Sequence, residues 1–174
     1  MIILETDRLL LRRFHMADAS AMEMVFCDPE VMEFGDGAQN PEWVERWLSG
    51  TLERHYKKHG YGLWAVVEKQ RRETIGYTGL SYFSDINGKP EIEIGYRFAR
   101  SAWGRGYATE AALAVRDYAF DTLRIERLIA LIDPSNLGSA RVAEKLGMTH
   151  ESKVMLEGYT HPDYVYVVEY PVGG

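Results

Sequence analysis

Three short groups of residues have the types and the spacing to do chemistry. The first is the run Trp103-Gly104-Arg105-Gly106-Tyr107-Ala108-Thr109, which lies between a strand pattern and the start of a helical one. Its two glycines let the backbone come close to an anion. The free N–H groups of a first helical turn then point at that anion, with the helix dipole behind them. Arg105 adds a mobile positive charge. The chemistry indicated is the binding of a phosphate or pyrophosphate, although a glycine-rich turn without a ligand has the same spelling. Two nucleotide loops are disfavoured. Thr109 stands where a dinucleotide fingerprint has its third glycine, and no lysine followed by Ser or Thr comes after the second glycine, as a Walker A loop requires.

The second group is Pro134 to Arg141, which follows an apolar run and opens a short helical pattern. Asn136 and Ser139 are ordinary helix-capping types. The alternative is that they face a cleft at the end of the strand, where Asn136 bonds amide groups of a ligand and Ser139 gives a proton to a leaving thiolate. The third group is Glu91 and Glu93. Being two apart on a strand, they share one face of the sheet. That face is either a solvated edge or the place where a carboxylate accepts a proton from an attacking amine.

The elements that must position these groups follow from periodicity and turn signals. Leu9–Phe14 alternates as a strand. Asp18 is placed to cap a helix ending near Cys27, with Ala21, Met22, Val25 and Phe26 as its buried stripe. Asn40-Pro41 reads as a cap followed by proline at the first helical position, and Val44, Trp47, Leu48, Leu52 and Tyr56 continue at helical spacing. Strands are expected at 63–68, 74–83 and 91–98, the last two joined by the hairpin signal Asn87-Gly88. A helix from Gly106 to Thr122, a buried strand at 128–132, a helix from Leu137 to Leu146 and two closing strands at 149–156 and 164–170 complete the chain. The order predicts an α/β fold, with a mixed, mostly antiparallel central sheet and helices on both faces, in one domain spanning 1–174.

Composition narrows the function classes. The chain has 174 residues, 46% hydrophobic and 26% charged, as expected of a soluble globular protein. The net charge of -6 argues against nucleic-acid or anionic-membrane partners. The lone Cys27 cannot form an internal disulfide, no signal peptide is read at the N-terminus, and a cytoplasmic location is expected. No metal is expected. His55 and His59 have helical metal-ligand spacing, but Lys57 and Lys58 lie between them and a solvated face is the plainer reading. His161 and Asp163 sit in the last turn, as turn residues or as substrate contacts. The loop with Glu30, Glu33 and Asp36 is acidic enough to attract a cationic amine. Trp43, Trp47 and Trp64 read as core.

Taken in order, Glu93-Ile94-Gly95-Tyr96, Trp103 to Ala108, and Asn136 with Ser139 resemble the two central motifs of the GNAT acetyltransferase superfamily. Thr6-Asp7-Arg8-Leu9-Leu10-Leu11-Arg12 and Glu144-Lys145-Leu146-Gly147-Met148 resemble the branch containing the ribosomal-protein alanine and serine N-terminal acetyltransferases. The resemblance implies acetyl-CoA as co-substrate and an amine acceptor, either a peptide N-terminus or a small molecule, in a monomer or homodimer. It implies a strand that splays at Tyr96, Arg97 and Phe98 to pair with pantetheine. The amides of Gly104, Arg105, Gly106, Tyr107, Ala108 and Thr109 would hold the pyrophosphate, and Asn136 the pantetheine arm. It also implies direct attack by a neutral amine, with Glu93 relaying the proton, Ser139 serving the leaving group and a backbone N–H near Arg97 or Phe98 holding the oxyanion. Two departures stand out. Trp103 replaces the family's usual Gln or Arg, and Ala143 takes the place where many members carry a tyrosine acid. A non-catalytic acyl-CoA-binding sensor or scaffold is the alternative.

Overall fold

The computed structural model describes residues 1–52 and 56–171. Its strands are β1 (Ile2–Glu5), β2 (Leu9–Arg12), β3 (Leu63–Glu68), β4 (Glu73–Ile86), β5 (Lys89–Phe98), β6 (Arg127–Ile132), β7 (Thr149–Val154) and β8 (Asp163–Glu169). The helices are α1 (Ala19–Phe26), α2 (Pro41–Gly50), α3 (Tyr56–His59), α4 (Tyr107–Asp121) and α5 (Leu137–Lys145). The eight strands form one sheet in the order β1-β2-β3-β4-β5-β6-β8-β7. Every pairing is antiparallel except β5 with β6.

Alternation along β2 explains the layers. Leu9 and Leu11 are fully buried on the face that packs against α4, while Leu10 and Arg12 are half-buried. One core lies on that face, with Trp64, Val66, Leu80, Ile94 and the Ala111, Ala112, Val115 and Ala119 stripe of α4. A second core lies opposite, where Met22, Val25 and Phe26 of α1 meet Val44 and Leu48 of α2 over Leu63 and Ala65. Trp43 and Trp47 stack here at 6.5 Å, and Trp47 lies 5.6 Å from Tyr77. Strand β3 is buried along its whole length because it is covered on both faces.

Several local signals act as expected. Asn40 Oδ1 accepts the Trp43 amide at 2.8 Å, with Pro41 opening α2. Asn87 and Gly88 both take positive φ, 53° and 88°, as a two-residue hairpin turn requires. Other expectations are corrected. Asp18 does not cap α1. Its carboxylate accepts from the Arg12 guanidinium at 2.7 and 2.8 Å, from Thr74 Oγ1 at 2.9 Å and from the His15 amide at 2.8 Å. Burial pushes this carboxyl up, and the donors outweigh it, holding it below the usual carboxylate range. The α-helix that begins at Pro41 runs to Gly50, residues 51–52 continue as π-helix, and Tyr56 opens α3, so the described residues on either side of 53–55 are helical as expected. His55 lies outside the described residues. Strand β1 was not expected. It pairs with β2 at the sheet edge, and the run Ile2-Ile3-Leu4 carries no alternation to reveal it.

Candidate active site

The unit β5-α4-β6 places two adjacent strands parallel with a helix crossing between them. A helix that follows a strand in such a unit starts at that strand's carboxyl end. The first turns of α4 and α5 therefore both arrive at the carboxyl ends of β5 and β6. Between those strands the parallel ladder holds at Glu93–Ile129 alone, so beyond Glu93 the strands part. The opening leads into a cavity of about 730 Å³, within the size range of small-molecule sites. Every sequence-predicted site residue lines it except Arg105, whose side chain is exposed beside it.

On one side of the split is the α4 turn. Gly104 and Gly106 take φ of 71° and 77°, left-handed conformations that a side chain would strain. Gly106 is the N-cap and supplies no side-chain acceptor, so the first N–H groups of α4 have no side-chain cap. The turn is fixed from outside by Arg8, which the sequence reading did not single out. Its Nη1 donates to the Arg105 carbonyl at 2.9 Å, its Nε to Glu110 at 2.6 Å, and its guanidinium lies 4.6 Å from the Tyr107 ring centre. Thr6 Oγ1 donates to Glu110 at 2.6 Å as well. Arg141 and Lys145, one turn apart on α5, line the same cavity and add positive charge. Their i, i+4 spacing was a readable signal. A rigid turn with free amides and nearby cations fits a pyrophosphate.

Trp103 takes no part as a side-chain donor to a ligand, because its indole N–H is given to the Phe98 carbonyl at 2.9 Å. Asn136 is the N-cap of α5, with Oδ1 accepting from the Ser139 amide at 3.1 Å, which leaves its NH₂ end for a ligand. Ser139 is thus the capped residue and not a capping one. Its carbonyl accepts from the Tyr96 hydroxyl at 2.8 Å, and its side chain lines the cavity. Ala143, where a tyrosine acid is absent, is fully buried.

On the opposite face of β5 are Glu93, Gly95 and Arg97. Burial pushes the Glu93 carboxyl up to about 7, and the Asp163 charge adds to this, while a Leu131 amide and Arg97 pull the other way. A Cβ on Gly95 would meet nothing nearer than Glu93 Oε2, at 3.8 Å, so the surface beside the carboxyl is bare. Arg97 turns its side chain across this face to Met32, with Nη1 3.1 Å from the sulfur. The loop expected to be acidic roofs this half. Asp28 and Glu30 are paired with Arg100 at 3.1 and 2.8 Å, Asp36 accepts from the Tyr159 hydroxyl at 3.2 Å, and Glu30 and Glu33 both line the cavity. Glu91 shares a face with Glu93 but lies on no solvated edge. It is buried and bonded to Arg127 Nε at 3.0 and 3.1 Å, because β5 is an interior strand. Cys27 lies outside the cavity, and burial with nearby Glu23 and Glu42 raises its thiol.

Residues 8–149 match the model of the acetyltransferase (GNAT) domain. The chain belongs to the GNAT acetyltransferase family. It is 40% identical over 153 residues to the protein YkkB of Bacillus subtilis, covering 87% of each chain. It is 33% identical over 154 residues to the spermidine N(1)-acetyltransferase of Escherichia coli, covering 88% of this chain and 75% of that one. A GNAT-family acetyltransferase structure from Bacillus anthracis superposes with TM-score 0.80 at 28% identity, over 97% and 98% of the two chains. The ribosomal L7/L12 alpha-N-protein acetyltransferase RimL, in complex with coenzyme A, shares the fold with TM-score 0.79 at 20% identity, over 97% and 98%.

Proposed function

We propose that this GNAT acetyltransferase uses acetyl-CoA and moves the acetyl group to a primary amine by direct attack within a ternary complex. One observation carries the reading: a single split between β5 and β6 has a free-amide helix terminus on one side and a carboxyl held near 7 on the other. The first suits a pyrophosphate and the second suits proton transfer at neutral pH. CoA would lie with its pyrophosphate on the amides from Gly104 to Thr109, its arm against Tyr96–Phe98 and Asn136, and its thioester at the head of the split. The amine nitrogen attacks the acetyl carbon, a C–N bond forms and the C–S bond breaks. Glu93 takes the amine proton directly or through water. Ser139 Oγ donates a hydrogen bond to the departing thiolate, and a backbone N–H near Arg97 or Phe98 holds the carbonyl oxygen. The acceptor is a small-molecule amine or a protein N-terminus. The E. coli relative, named for spermidine, supports the amine class.

Initial rates measured with both substrates varied test the order of events. Intersecting reciprocal plots and no acetylated protein by mass spectrometry are expected. Parallel plots with an acetyl-enzyme would refute direct attack. CoA binding with no turnover on any amine would favour the sensor or scaffold.

A further inference from the structure

The end of β6 and the turn between β7 and β8 bring together three side chains that touch no reacting atom in the proposed transfer. Asp133, His161 and Asp163 each offer one ligand atom, and these atoms all lie within 4.8 Å of one another. Asp133 directly follows β6 and Asp163 opens β8, so two of the three sit at the ends of paired strands. Asp163 is only 7% exposed, and its Oδ1 has no hydrogen-bond partner among the described residues. A buried carboxylate oxygen without a donor is costly, and a proton or a bound cation relieves it.

The arrangement of the other two groups has room for a cation. His161 Nε2 stands 3.1 Å from Asp133 Oδ2, and its Nδ1 is turned to the Pro162 carbonyl at 3.4 Å. Metal-bound imidazoles have this arrangement, with one nitrogen on the ion and the other directed at a carbonyl or carboxylate. An ion about 2.1 Å from both Nε2 and Oδ2 would see them at roughly 95°, close to the angle between neighbouring octahedral ligands. Tetrahedral geometry at that bond length would need them about 3.4 Å apart. The Asp133 carboxylate is held in place by the Ser135 amide, which donates to Oδ1 at 2.7 Å. One imidazole with two carboxylates suits a first-row transition ion better than Mg²⁺ or Ca²⁺, which take oxygen ligands.

We propose that Asp133, His161 and Asp163 form a binding site for a divalent first-row transition cation. Asp133 lines the cavity, so the ion sits at the rim of the half that receives the amine. This departs from the expectation that the protein takes no metal.

The test uses metal-stripped full-length protein with Mn²⁺ and Zn²⁺ as probes and reads binding without turnover. One saturable site is expected, seen as loss of the free Mn²⁺ paramagnetic signal and as a rise in melting temperature with either ion. Asp163→Asn should weaken that site by at least the ~10–100-fold that losing even a supporting contact costs. His161→Ala, on an exposed turn residue, should do the same and guards against a folding defect in the buried variant. Absence of saturable binding, or affinity unchanged in both variants, overturns the proposal. So does stabilisation by a simple alkylammonium ion but by neither metal, which would assign the cluster to the acceptor.

Discussion

Glu93 carries the clearest residue-scale prediction. If it takes the amine proton, Glu93→Gln should lower kcat by about 10²–10⁴-fold with little change in acetyl-CoA affinity. The wild-type rate should rise with pH through about 7 as the carboxyl ionises, and the variant should lose that dependence. Stability gives an independent check. The folded carboxyl holds its proton above the ordinary value of 4.5, so the native state binds more protons than the unfolded state between there and about 7. Wild-type stability should therefore fall across that interval as pH rises, and the Gln variant should escape the loss in urea titrations. A pH–rate profile that is the same in both proteins would make Glu93 structural. Ser139 is decided differently, because the cap of α5 is Asn136. Ser139→Ala should keep its melting temperature and lose about tenfold to a hundredfold in kcat, the value of about 1.5–3 kcal/mol for one charge-assisted hydrogen bond. Unchanged kcat would leave Tyr107, Tyr159 or water to serve the leaving group. The residue types and spacing of Glu93, Asn136 and Ser139 were legible, but their environments were not. The carboxyl is pushed to about 7 by burial first and by the Asp163 charge, against the pull of the Leu131 amide and Arg97, and only the folded sheet supplies that burial and brings Leu131 and Asp163 near.

At the scale of elements, the α4 turn is positioned by contacts with Arg8, 97 to 102 residues away in the chain. Arg8 bonds both the Arg105 carbonyl and Glu110, and so holds the free amides in register. Arg8 is half exposed, and surface ion pairs contribute about 0–1 kcal/mol to stability. Arg8→Ala should therefore barely move the melting temperature. It should raise KM for acetyl-CoA about threefold to tenfold with kcat little changed, as expected when binding common to ground and transition states is lost. An unchanged KM would mean that Gly104 and Gly106 set the turn by themselves. Local signals of this kind read well from sequence: Asn40-Pro41, Asn87-Gly88 and the glycines of the phosphate turn each act within a few residues. Asp18 misled because an N-cap type close to a helix start is equally able to join a buried ion pair, and Arg12 and Thr74 decide between them only after β2 and β4 are in place. The change from α- to π-helix after Gly50 left no mark either, since Leu52 keeps the apolar spacing of α2.

For the whole molecule, alternation along β2 and β5, the doubly covered β3 and the Ala-rich stripe of α4 made a mixed sheet between helical layers readable. What periodicity does not encode is neighbour order. Strand β8 inserts between β6 and β7, and β1 closes the far edge, through pairings that strand spacing leaves undetermined. The split between β5 and β6 is likewise a property of the assembled sheet: it exists because the one parallel pair is held at Glu93–Ile129 and released beyond it. The proposed acetyl transfer takes place in that split. The most direct test is release of free thiol from acetyl-CoA by the wild-type protein, with and without a panel of primary amines that includes polyamines and peptide N-termini. Release that depends on an amine, with the matching N-acetyl product by mass spectrometry and about 10²–10⁴-fold slower from Glu93→Gln, is the predicted result. Tight CoA binding without amine-dependent release across the panel would contradict it.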